Sequence, residues 1–232
     1  MSALILLLVG GMAADEAAPV PVKEPREALE RIQSIVGGWR GVGQVRRNSS
    51  NGAWKETAEW VWDLKRSPPS LKITVTDGKH LKTGDLSFDI EQQVYVFKSE
   101  SPDGEKLEYR GKLEKERLPL IAVRENKDEE KLTLSFLNMK RTTLLFEKKA
   151  AESMNYQRVA EVGYTREGTR LAVEGVSGKE CVVTGGEGTI QVTHKGKKYW
   201  VCCTGCVAAF EEDPEGILKE YAARVAERNK KP

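Results

Sequence analysis

Trp54-Lys55-Glu56-Thr57-Ala58-Glu59-Trp60-Val61-Trp62-Asp63-Leu64 places Trp54, Ala58, Trp60, Trp62 and Leu64 on one side of an extended chain. Lys55, Glu59 and Asp63 take the other side. A period of two is that of a strand with one dry and one wet face, because successive side chains leave a strand in opposite directions. The pattern recurs at Leu71, Ile73 and Val75, at Leu86, Phe88 and Ile90, and at Leu107 and Tyr109. It continues at Leu118 and Leu120, at Leu132, Leu134 and Phe136, and at Leu144 and Phe146. Asp77-Gly78, Asp103-Gly104 and the polar run Asn126 to Glu130 supply turns between them. About ten strands fit between Trp39 and Tyr164. No helix long enough for a parallel crossover interrupts them, so an antiparallel meander follows. Closure into a barrel removes both exposed edges of such a sheet, and a mainly β chain built on an antiparallel barrel is expected.

Working towards the N-terminus, Pro25 to Val36 reads as one helix, with Pro25 at its first position, a stripe of Leu29, Ile32 and Val36, and Gly37-Gly38 as its stop. Residues 14–24 are rich in Ala, Pro and charge and read as a linker. Ala3 to Val9 is apolar but too short to span a bilayer, and Gly11 and Ala13 stand at small-x-small positions. Residues 1–13 therefore read as a signal peptide, and the protein as exported to the periplasm or outside. No apolar run after residue 14 is long enough for a membrane span. Of the 232 residues, 37 are basic and 35 acidic, and the two signs are interspersed. Such a balance leaves no electrostatic footprint for nucleic acid. Arg224, Arg228, Lys230 and Lys231 at the end read as a solvated helix terminus.

Gly38-Trp39, opening the first strand after a short helix, resembles the Gly-x-Trp start of lipocalin-like (calycin) barrels. The resemblance implies a calycin-like barrel over 25–172, Trp39 plugging one end, and an Arg of the last strand packed on it, with Arg158 and Arg166 as the candidates. A barrel of this size has room for a cavity. Trp39, Trp54, Trp60 and Trp62 could line that cavity around a small apolar ligand, or simply fill it. The barrel's single histidine, His80, lies in a polar turn. It reads as a surface residue and not as the haem ligand that a nitrobindin-like calycin would need. Asp85, Asp89 and Glu91 read as solvated strand residues. No nucleophile, base and acid come together, so no enzymatic activity is expected.

The texture changes after Gly175. Glycines crowd residues 175–188, and short strands follow at Thr189 to Thr193 and Lys198 to Cys202. Thr204 is expected to cap a helix that stops before Pro214, and a second helix runs from Pro214 to about Glu227. All four cysteines of the chain fall here, at Cys181, Cys202, Cys203 and Cys206. A Cys in a knuckle, a hairpin, and a Cys at a helix start give a small α+β module over 176–232, with treble-clef logic. Thiolates from separate elements can converge on one soft ion, and a helix N-terminus favours the thiolate at Cys206.

Residues 177–224, about a fifth of the chain, resemble the TRASH/YHS domains, small modules linked to heavy-metal sensing, trafficking and resistance. The shared features are Cys181-Val-Val-Thr-Gly185, Lys195 to Cys206 with its Cys-x3-Cys end, Phe210, and Asp213-Pro214. The resemblance implies Cys181, Cys202 and Cys206 as metal ligands and Trp200 and Phe210 as aromatic core. Many such modules carry their first Cys three positions later, where this chain has Thr184. Cys203 is an extra thiol, and it and His194 are further candidate ligands. Three thiolates with an open fourth position would suit transfer of Cu(I), whereas a closed site would suit structural Zn²⁺. Four cysteines also permit three disulfide pairings, which export would favour. The expected function is binding of zinc or copper for metal handling or sensing. The alternatives are an apolar-ligand carrier with a structural cysteine module, and a thiol redox accessory using Cys203-x-x-Cys206.

Overall fold

Ten strands form between residues 37 and 166 in a computed structural model, which describes residues 21–47, 49, 51–167, 179–185 and 188–228. The expected signal peptide, residues 14–20 of the linker, the boundaries at 172 and 176, and Lys230 and Lys231 lie outside the described residues. The strands are β1 (Gly37–Gln44), β2 (Trp54–Asp63), β3 (Ser70–Thr76), β4 (Thr83–Asp89) and β5 (Val94–Glu100). They continue as β6 (Lys106–Gly111), β7 (Arg117–Val123), β8 (Glu129–Asn138), β9 (Arg141–Lys149) and β10 (Gln157–Arg166). Each pairs antiparallel with its chain neighbours, and β10 returns to β1, so the barrel is closed. Closure leaves no unpaired edge in the barrel sheet.

The alternation read from β2 is the one observed: Trp54, Glu56, Ala58, Trp60 and Trp62 are buried while Lys55, Thr57 and Glu59 are exposed. Leu71, Ile73, Leu86, Phe97, Leu118, Leu120 and Leu144 meet them inside at 2% exposure or less. Glu56 sits among these apolar side chains. Its carboxylate accepts hydrogen bonds from Trp54 Nε1 (2.5 Å) and from the Tyr164 hydroxyl, so the buried charge is partnered on both oxygens. Asp85 and Asp89, read as merely solvated, are ion-paired on the outer face with Arg66 (3.0 Å) and Arg110 (3.4 Å).

One end of the barrel is plugged from the N-terminal side. The single helix expected over 25–36 is instead α1 (Pro25–Glu30) followed by a 3₁₀ turn at Gln33–Ile35. The break falls at Ile32, whose backbone leaves helical values (φ −116°, ψ 9°). This bend lets Leu29, Ile32, Ile35 and Val36 all reach the barrel end, at 2% exposure or less. Gly37 is the first residue of β1 and not a helix stop. Its φ of +117° favours glycine, and the Arg166 guanidinium lies 2.8 Å from where a Cβ would stand. Of the two candidate arginines it is Arg166 that packs on Trp39, 4.3 Å above the ring, because it stands directly opposite Trp39 in the β1–β10 register. Arg158 pairs with Glu161 (2.6 Å) instead.

The other end is the mouth, and there His80 departs from its surface reading. It lies half-buried against the rings of Trp54 (5.5 Å) and Phe146 (5.2 Å), and burial holds its imidazole below the usual histidine range. Past the barrel come the hairpin β11 (Ile190–His194) and β12 (Lys197–Val201), then α2 (Thr204–Glu212) and α3 (Pro214–Arg228). No helix among the described residues is long and apolar enough to cross a membrane.

Candidate metal centre

Three elements of the C-terminal part each deliver a thiol to one point. Cys181 opens a tight knuckle in which the Gly185 N–H donates to the Cys181 carbonyl (2.8 Å), and Gly185 takes a φ of +77° that suits glycine. The knuckle is tied to the hairpin by the Val182 N–H donating to the Trp200 carbonyl (2.9 Å). Cys202 follows the end of β12 directly. Cys206 is the third residue of α2. The residue preceding α2 is Cys203 and not Thr204: Cys203 has extended φ/ψ, and its carbonyl accepts from the Val207 N–H (3.0 Å). The expected cap is therefore displaced by one position, and Thr204 begins the helix.

The Sγ atoms of Cys181, Cys202 and Cys206 all lie within 4.8 Å of one another, and those of Cys202 and Cys206 are 3.5 Å apart. Sulfurs bound tetrahedrally at a Zn–S distance of about 2.3 Å stand roughly 3.8 Å apart, so the three fit one soft ion with little movement. All four cysteines are unbonded thiols, which differs from the disulfide alternative. Cys203 Sγ lies 4.0 Å from Cys202 Sγ, outside the group of three, and accepts the Trp62 backbone N–H of the barrel (3.5 Å). The Thr184 hydroxyl reaches Cys202 Sγ (3.5 Å) from the position where the resembling modules carry their first cysteine.

Hydrogen bonds from Cys202 draw the Cys181 and Cys203 thiols well below the ordinary range. The same bonding around Cys181 pushes Cys202 and Cys206 up. His194 is not brought to the cluster. Its Nε2 is 2.7 Å from Glu215 Oε1, and Lys195 and then His194 hold that carboxylate down to about 2.

The second sphere is built by residues that the sequence placed elsewhere. Arg224, read as part of a solvated tail, donates to the carbonyls of Val182 (2.7 Å) and Val183 (3.2 Å). Arg26 of α1 reaches the Val183 carbonyl as well (3.1 Å), so the barrel's plug and the last helix both clamp the knuckle. Asp213 accepts the Gly216 N–H (2.9 Å) and starts α3 with Pro214 at its first position. Gly205 lets α2 lie against β2, since a Cβ there would stand 2.0 Å from the Trp62 carbonyl oxygen.

Trp39, Trp54, Trp60 and Trp62 are all buried, at 1 to 9% exposure, and pack as barrel core. At the mouth, His80, Tyr109, Glu130 and Phe146 help line a pocket of about 210 Å³. Leu113, Phe136 and Leu137 help line an open groove of about 1290 Å³ on the outer wall.

No family model matches the chain, and no curated protein matches it. Among solved structures, that of Rv2717c from M. tuberculosis is similar at 11% identity, over 60% of this chain and 97% of that one, with a TM-score of 0.39.

Proposed function

We propose that this protein binds a soft transition metal, zinc or copper, through Cys181, Cys202 and Cys206, and works in metal handling or sensing rather than in catalysis. The observation that supports this reading is the convergence of three buried, unbonded thiols from a knuckle, a strand end and a helix start. The resemblance of residues 177–224 to TRASH/YHS domains supports it from the sequence, and the short apolar run before Ala13 supports export. A bound ion would cross-link the three elements. The chain's own contribution is to keep the thiols dry, to hold Cys206 in the first turn of α2 beside Cys202, and to set the Thr184 hydroxyl beside Cys202. Cys203 stands at the flank, so the fourth position falls to it or to an external ligand.

The barrel serves in this reading as a scaffold. Its tryptophans are core and the pocket at its mouth measures about 210 Å³, while larger and more open spaces of about 540 and 1290 Å³ are lined by other barrel strands. Replacing Cys181 or Cys206 by Ser should reduce bound zinc or copper from one per chain to near zero, whereas Cys203→Ser should retain most of it. Full metal content in the first two variants would sink the assignment.

A further inference from the structure

We infer that metal reaches the thiols through a polar cleft between the barrel wall and the cysteine module, and that Glu59 and Glu167 at this cleft draw the cation in. The inference rests on the metal-binding reading. The cleft measures about 570 Å³, and Cys202 and Cys203 are among its lining residues. A hydrated ion fits that space easily, one water occupying about 30 Å³ in the liquid.

All four cysteines are buried at 2% exposure or less, and Cys202 and Cys203 are the two that border the cleft. On other sides Val182, Val183, Val201 and Phe210 are buried at 3% or less, and Arg26 and Arg224 fasten the knuckle over the cluster. Thr57 and Thr76 present hydroxyl-bearing side chains that can replace hydration waters one at a time. Glu59 and Glu167 border the same cleft as Cys203. The cleft also contains Arg166, but that guanidinium donates to the carbonyls of Val36 (2.7 Å), Met139 (2.7 Å) and Ser34 and stacks on Trp39. Its charge remains at the cleft and offsets one of the two carboxylates, which leaves these three groups net negative.

The test is the rate at which the reduced, metal-free full chain takes up Zn²⁺ in stopped flow at low salt. Glu59→Gln with Glu167→Gln should slow uptake by about threefold to tenfold, the low end of electrostatic steering, and the difference should close at high salt. Thr57→Trp, on an exposed strand position, narrows the cleft and should slow uptake in both salt conditions. A control pair on the outer wall, Glu108→Gln with Glu114→Gln, should leave the rate unchanged. Unchanged uptake in both cleft variants, with one ion still bound per chain, would overturn the route alone. Equal slowing by the control pair would reduce the effect to net charge and overturn it too. A wild-type chain that takes up no metal defeats the metal reading and the route together.

Discussion

The barrel and the cysteine module are held together by different means. In the barrel, ten strands close on a core in which Trp39, Trp62, Phe97 and nine other large side chains are essentially fully buried. In the module, the apolar stripe of α3, with Ile217, Leu218, Tyr221 and Val225, is only half-buried, and within β12 only Val201 is fully inside. Hydrophobic burial at about 25 cal/mol per Å² can support the first, while a unit of some fifty residues with so small a core is of the kind that calls for a cross-link. A thiolate-bound ion is such a cross-link, with apparent binding energies of about 10–16 kcal/mol in small zinc modules. The difference directs the search for function to the module, whose smaller core a bound ion would reinforce.

That contrast can be broken by perturbing one region and watching the other. Leu86→Ala should cost the barrel about 2–5 kcal/mol, read as a lower denaturation midpoint, with bound metal per chain unchanged under native conditions. Metal released in step with barrel unfolding, in wild type and variant alike, would mean that the two share one cooperative unit. Arg224→Ala removes two charged hydrogen bonds to the knuckle and should cost the module roughly 1.5–3 kcal/mol, weakening metal retention against a chelator while barrel melting stays put.

The smallest effect concerns the plug. Burial raises the Tyr95 hydroxyl to about 12, and it donates to the Ala28 carbonyl (2.7 Å). A folded-state pKa raised above the unfolded value gives stability that is complete below about pH 10 and lost as pH climbs through 12. Tyr95→Phe should cost about 1 kcal/mol at neutral pH and reduce, without abolishing, the barrel's alkaline loss above about pH 10 in denaturant titrations, since Tyr109, Tyr156 and Tyr164 are also pushed up. An alkaline profile identical to wild type would place the titrating groups elsewhere.

The barrel was legible because alternation is local and dense, so strand number and inner face follow from the order of apolar and polar residues. Glu56 lies on the inner parity and is visible as an exception, but one of its partners, Tyr164, is 108 residues away. Which arginine meets Trp39 depended on the register of β1 against β10, which no local pattern encodes. His80 misled for a similar reason: its turn is polar, yet Trp54 and Phe146 come to it from distant strands. In the module, the spacing of Cys181, Cys202 and Cys206 pointed to the convergence seen, because it couples a knuckle, a hairpin and a helix start. The clamp by Arg26 and Arg224 was not legible, since a long charged side chain near a helix end carries no sign of the carbonyl it will reach.

The central claim is tested most directly by measuring bound metal and free thiols on one sample of the full chain, prepared anaerobically without chelator. The account predicts one zinc or copper ion per chain, thiols shielded until a chelator is added, and all four cysteines reactive in the metal-free denatured chain. A metal-free chain with no free thiols would contradict it, making the cysteines disulfides and turning the search for function back to the barrel.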